Sequence, residues 1–137
     1  QRIADDARVL DELSDADPWD ADVETGEELI FARPGVQQKL LRRLRRGQFS
    51  TAAELDLHGN TVAEAQEALA EFLSDCRIRG VRSVRIIHGK GLRSPDGRPV
   101  IKNKVARWLR HRDEVVAFCS ARPVDGGTGA LYVLLKR

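Results

Sequence analysis

Thirty residues separate His58 from His88, and the two histidines share one local setting. "AELDLHG" at 53–59 and "VRIIHGKG" at 84–91 are short runs of β-type residues, each with an internal His-Gly pair at its end. Between them, "TVAEAQEALAEFLSDCRIRG" at 61–80 puts Val62, Ala65, Leu69, Phe72, Leu73 and Cys76 on one helical face. Thr61 and Glu64 have capping-box spacing at its start, and Gly80 stands where a left-handed residue ends a helix. Strand, helix and strand within about thirty residues make one βαβ unit. That crossover is right-handed and lays its strands parallel. Strands joined this way are commonly neighbours, so both His-Gly turns are expected at one end of one sheet. The fold class is therefore α/β.

The remaining segments extend the unit. "KGLRSPDGRP" at 90–99 reads as a loop, and "VIKNKVARWLRHR" at 100–112 as a second helix packing through Ile101, Val105, Trp108 and Leu109. "EVVAFCSAR" and "GALYVLLKR" are further strands, joined by the short Gly-rich "PVDGGT" as an antiparallel hairpin. The expected architecture is a two-layer α/β sandwich, βαβαββ, with a four-stranded mixed sheet over residues 50–137. Ahead of it, at 33–48, Val36, Leu40, Leu41 and Leu44 recur at helical spacing between Pro34-Gly35 and Gly47. Lys39, Arg42, Arg43, Arg45 and Arg46 are expected to cover the surface of this basic amphipathic helix. Residues 1–32 read as a flexible acidic extension, with at most a short helix at 3–13.

Charge is divided unevenly along the chain. Residues 1–30 hold 11 acids and 2 bases, a balance of −9, while residues 31–137 hold 10 acids and 21 bases, a balance of +11. A basic body beside an acidic lead points to a polyanionic partner. The competing explanation is that Lys and Arg only keep the surface soluble. No apolar run approaches a membrane span and no signal-peptide pattern opens the sequence, so a cytoplasmic monomer with no membrane partner is expected. Cys76 and Cys119 match no metal or redox spacing and fall in apolar runs, as reduced core thiols do.

Chemistry in an α/β sheet collects past the carboxyl ends of its parallel strands. Asp56, His58 and Gly59 lie at one such end, and His88, Gly89, Lys90 and Gly91 at the next. A carboxylate two residues from an imidazole on a strand faces the same side and can orient it. Gly59 permits a sharp turn into a helix whose first amides form an anion site, and the second turn adds donors and a Lys charge. A lone histidine at a strand end is more commonly a turn residue. Its recurrence at successive strands, with a basic loop following, favours a site where the two histidines meet. Arg93 and Arg98 in the loop, with Lys102, Lys104, Arg107 and Arg110 on the exposed side of the second helix, are the expected nucleic-acid contacts. Phe72, Trp108 and Phe118 read as core, which leaves few aromatics for sequence-specific stacking.

"DLHG", the capped helix, "IIHGKG" and "GGTGALYVLL" together resemble the Smr (small MutS-related) domain over about residues 50–137. "RPGVQQKLLRRLRRGQF" is similar to the extension of stand-alone bacterial Smr proteins. The resemblance implies a fold like the C-terminal domain of bacterial translation initiation factor three. It also implies endonuclease activity, either nicking DNA or cutting messenger RNA on collided ribosomes. Family cleavage residues carry over onto Asp56 and His58, and the HGxG turn onto His88, Gly89, Lys90 and Gly91.

The residues themselves offer two imidazoles, one carboxylate and several cations, without the acid cluster that usually holds magnesium. Cleavage without metal or cofactor is therefore expected, with the RNA 2′-hydroxyl as nucleophile. His58 would act as base, His88 as acid or phosphate ligand, and Lys90 and Arg93 as stabilisers of the phosphorane. A magnesium-dependent route through Asp56 with either histidine, and a non-catalytic nucleic-acid or ribosome-binding module, are the alternatives.

Overall fold

The structure, a computed structural model, describes residues 27–90 and 100–137. The acidic stretch at 1–26 and the loop at 91–99, with Gly91, Arg93 and Arg98, lie outside the described residues. In chain order the elements are β1 (Ile30–Ala32), α1 (Gln38–Arg45), β2 (Ala53–Asp56), α2 (Val62–Arg79), β3 (Ser83–Ile87), α3 (Val100–Arg110), β4 (Val115–Ser120) and β5 (Ala130–Leu135). They build one mixed sheet in the order β1-β4-β5-β3-β2.

The βαβ unit forms as its residues require. Thr61 Oγ1 accepts from the Glu64 amide at 3.1 Å while the Glu64 carboxylate accepts from the Thr61 amide at 2.9 Å. Gly80 closes α2 at φ +71°, a conformation in which a Cβ would be strained. α2 buries Ala65, Leu69, Leu73 and Cys76, the stripe read from spacing, and leaves Val62 exposed. β2 and β3 then pair in parallel, with Asp56 opposite Ile87.

The hairpin also forms, but inserts itself. β5 pairs antiparallel with β4 on one side and with β3 on the other. β2, β3 and β4 therefore run in one direction, with β5 between β3 and β4. Two short 3-10 turns, Pro123–Asp125 and Gly127–Gly129, make the connection.

The sheet has five strands instead of four. β1 pairs antiparallel with β4, Ile30 opposite Cys119 and Ala32 opposite Ala117. Its place in the sequence is acid-rich and only three residues are paired, so strand periodicity is faint there. Tertiary contacts fix it instead. The Leu29 amide donates to Ser120 Oγ and the Ser120 amide to the Leu29 carbonyl, both at 2.8 Å. Arg33 Nε donates to the Val115 carbonyl at 2.9 Å, and its terminal nitrogen to the Arg110 carbonyl at the end of α3 at 3.0 Å.

Each face of the sheet has its own core. On one face α2 and α3 pack against Leu57, Val84, Ile86, Val115, Phe118, Leu131, Val133 and Leu135. On the other, α1 inserts Leu41 and Leu44 against Ala117, Cys119, Ala130, Tyr132 and Leu134. Each buried leucine contributes about 1.5–3 kcal/mol, enough to hold a short helix in place. Arg45 lies on this same stripe and is buried, contrary to the expectation that all five α1 cations are surface residues. Both cysteines are free and buried, and burial raises both thiols above their usual range.

Candidate active site

The strand β2 continues its parallel ladder one residue beyond Asp56, where the Leu57 amide donates to the Ile87 carbonyl at 2.6 Å. Leu57 is fully buried and ends the strand firmly. The chain then turns at once, the Asn60 amide donating to the Leu57 carbonyl at 3.1 Å. Gly59 is the third residue of that turn at φ +83°, as a type II turn demands.

This geometry folds His58 back onto Asp56. Asp56 Oδ1 accepts from the His58 amide at 3.0 Å and from His58 Nδ1 at 2.7 Å. The bond from the His58 ring, more than any other interaction, holds the Asp56 carboxyl below its usual range, against the opposing effect of burial. In the neutral tautomer that this contact favours, Nδ1 carries the proton toward the carboxylate and the lone pair lies on Nε2. Both side chains stand in solvent, at 70 % exposure for His58 and 49 % for Asp56.

The second turn packs directly beneath. A Cβ on Gly89 would stand 3.3 Å from His58 Cβ, so the backbone of this turn is in contact with the first histidine. The His88 and Gly89 amides both donate to the Gly129 carbonyl, each at 3.0 Å. A Cβ on Gly129 would meet Lys90 Cγ at 3.1 Å. In the sequence, "GGTG" reads only as part of the hairpin connection and of the family likeness. The structure makes Gly129 the floor under the HGKG turn, and the density of glycine there was its signal.

The two imidazoles do not meet, which corrects the expected shared pocket. Alternation along β3 turns His88 the way of Val84 and Ile86, toward the α2–α3 layer, whereas Asp56 points the other way with Glu54. His88 is 3 % exposed. Its Nδ1 donates to the Gly89 carbonyl at 2.6 Å, and its buried Nε2 has no hydrogen-bond partner among the described residues. Burial lowers its pKa to about 4, assisted by the Lys102 charge and opposed by the Gly89 bond. A neutral, buried ring is no proton donor at neutral pH and is withdrawn from any phosphate at the surface.

Lys102 requires a second correction. It is 3 % exposed, and its ammonium donates to the Glu27 carbonyl. Lys102 stands at the spacing of Val105, Ala106 and Leu109, the buried stripe of α3, so its stem packs inward while its head finds a carbonyl. Arg107 and Arg110 are exposed and Lys104 half-buried, all on the α3 layer. Lys90 is exposed beside Gly89. At the start of α2 the capping box engages the Thr61 and Glu64 amides and brings a carboxylate there, which weakens the expected anion site.

The Asp56–His58 pair stands on open surface. A hollow of about 450 Å³ lies elsewhere, between α2 and α3, against Gln66, Arg107, Trp108 and His111. An exposed acid–base pair suits an extended polymer better than a small molecule, which would be enclosed. No helix among the described residues is long and apolar enough to cross a membrane.

Comparison with known proteins places the chain in a family. The family model described as Smr domain matches residues 55–136. The chain is 38 % identical over 109 residues to the probable DNA endonuclease SmrA of Escherichia coli, covering 80 % of this chain but only 58 % of that protein. It is 33 % identical over 134 residues to the ribosome rescue factor SmrB of Yersinia enterocolitica, covering 94 % of this chain and 73 % of that one. Among solved structures, the stand-alone small MutS-related protein YdaL of Escherichia coli superposes with a TM-score of 0.71 at 38 % identity, covering 81 % of this chain and 85 % of that one. The Smr domain of Thermus thermophilus MutS2 gives 0.56 at 32 % identity, covering 63 % and 100 %.

Proposed function

Because the chain belongs to the Smr domain family, we propose that it is an endonuclease that cuts RNA, in the setting of stalled or collided ribosomes, without a metal ion. The observation that carries this reading is the exposed Asp56–His58 pair, its imidazole fixed by a 2.7 Å bond and its Nε2 free to act as base. His58 Nε2 takes the proton of the 2′-hydroxyl, whose oxygen attacks the adjacent phosphorus. The P–O5′ bond breaks, the leaving 5′-oxygen takes a proton from water, and the products are a 2′,3′-cyclic phosphate and a 5′-hydroxyl. Asp56 orients the ring and stabilises the imidazolium that forms. Lys90 places positive charge near the phosphorane, and the backbone of the Gly59 and Gly89 turns gives the strand close approach. His88 serves by holding the Gly89 turn beneath His58.

The ribosomal setting rests on the rescue factors, whose likeness extends over 134 residues. DNA nicking, as the name of the SmrA relative has it, is the competing reading. A labelled RNA and a nicked-plasmid assay in excess chelator separate them, with His58→Ala alongside. The expected result is cyclic-phosphate ends on RNA and a loss of about a hundredfold or more in rate for the variant, with binding retained. Strict magnesium dependence, equal cutting of DNA, or equal cleavage by the variant would overturn the proposal.

A further inference from the structure

We infer that the nucleic-acid backbone is held by α1, on the sheet face that carries Asp56, and not by α3; this rests on the nuclease reading above. Alternation in β2 sends Ala53 and Leu55 toward the α2–α3 core and leaves Glu54 and Asp56 on the opposite face. That opposite face is the one α1 covers, over β4 and β5. From β5 to β2 is two strand spacings, about 10 Å, which is about three stacked nucleotides. A strand with its scissile bond at His58 therefore reaches α1 without crossing the sheet.

The chemistry of α1 fits a polyanion. Its eight residues, "QKLLRRLR", include no acid. Lys39 and Arg43 are exposed, Arg42 is half-buried, and the capping Arg46 is exposed. The Arg43 guanidinium lies over the Phe49 ring, 4.5 Å from its centroid, which keeps this cation at the surface of the helix. The exposed Arg122 donates to the Arg46 carbonyl at 3.0 Å and brings a further cation to the end of the helix. Arg85, between α1 and Asp56, is bonded to Glu54 and to the Asp125 carbonyl, with the Asp125 carboxylate 3.6 Å away. Its charge is neutralised locally, so attraction for phosphate concentrates on α1. The α3 cations lie on the far layer. There Lys102 is buried and Arg110 lies about 6 Å from the Phe31 and Phe118 rings.

The test compares two matched charge removals in the full chain, K39Q/R43Q/R46Q and K104Q/R107Q/R110Q. Binding of a labelled RNA oligonucleotide is read by fluorescence anisotropy over a salt series. The α1 set should weaken binding about a hundredfold at 0.1 M salt and lower the slope of log K against log salt by about 2. The α3 set should weaken it less than about threefold, a loss too small for lost phosphate contacts. Charge-retaining K39R/R43K/R46K should stay near the parent; its loss would assign α1 a structural role and overturn the inference. So would equal losses from both sets, or a loss confined to the α3 set. If the α1 set keeps its grip on RNA but loses binding to a poly-glutamate peptide, the occupant is an acidic protein and the inference falls. A parent that binds through α1 and cuts nothing sinks the nuclease reading alone. A parent that cuts RNA with an affinity indifferent to α1 sinks this inference alone.

Discussion

The Leu57–Asn60 turn and the turn that follows β3 carry the same His-Gly letters and the same left-handed glycine, at φ +83° and +84°. Their histidines have opposite fates. His58 stands in solvent, bonded to a carboxylate, and His88 is buried, bonded to a backbone carbonyl. Position on the strand decides the difference. His58 comes one residue after the buried Leu57 and rejoins Asp56, whereas His88 itself takes the inward place after Val84 and Ile86. A repeated motif here is a division of labour: one turn presents an exposed imidazole, and the other builds the surface it rests on.

The largest effect that could break this comparison is acid sensitivity at His88. Its pKa falls from an ordinary 6.5 to about 4 in the folded chain. Between those values the unfolded chain takes up a proton that the folded one refuses. The stability tied to the neutral ring is therefore complete above about pH 6.5 and drains away as pH falls toward 4. At about 1.4 kcal/mol per pH unit, that amounts to about 3 kcal/mol. Urea denaturation at pH 7.5 and pH 4 should show the parent losing about this much more than His88→Asn, which keeps a donor for the Gly89 carbonyl and does not titrate. Equal losses would mean that His88 is not the neutral member of the pair. Asp56, held below its ordinary 3.8 by the His58 bond, contributes below this window.

A smaller effect sharpens the other half. Asp56→Asn removes the charge that orients His58 and stabilises its imidazolium, and should slow cleavage by more than about tenfold. RNA binding should hold or tighten, because a negative charge beside the phosphate has gone. Single-turnover cleavage and anisotropy on one preparation give both readings. If affinity falls in step with rate, Asp56 contacts the substrate and is not an orienting group.

Much of this arrangement was legible in the sequence, for local reasons. Thr61, Glu64 and Gly80 mark the ends of α2 by chemistry confined to a few residues, and the structure forms each contact. The parallel pairing of β2 and β3 follows from the length of the crossover. What escaped was non-local or misjudged in phase. Ile30–Ala32 becomes a strand because β4 offers an edge and Ser120 and Arg33 fasten the segment, none of which its own acid-rich surroundings announce. β5 lies between β3 and β4 by a choice of strand order that neither hairpin spacing nor crossover length determines. Lys102 and His88, by contrast, were readable. Lys102 keeps step with Val105, Ala106 and Leu109, and His88 with Val84 and Ile86, so periodicity placed both inside while their chemistry suggested the surface. For a charged or titratable residue at a strand end or helix start, phase outranks residue type.

The finest distinction between the turns concerns their glycines. Gly59 and Gly89 share a backbone conformation that costs a residue with a Cβ about 1–2 kcal/mol, so alanine at either should lower stability by a similar amount. Their surroundings differ. A Cβ at Gly59 meets nothing within 4 Å, while one at Gly89 presses on His58 Cβ at 3.3 Å, so that His58 must shift by a few tenths of an ångström. Gly89→Ala should therefore slow cleavage severalfold more than Gly59→Ala when the two lose equal stability, since an imidazole displaced from its near-attack position forfeits rate. Thermal melts establish the equality, and single-turnover rates carry the comparison. Matched rates would detach the second turn from catalysis and leave it only a structural role.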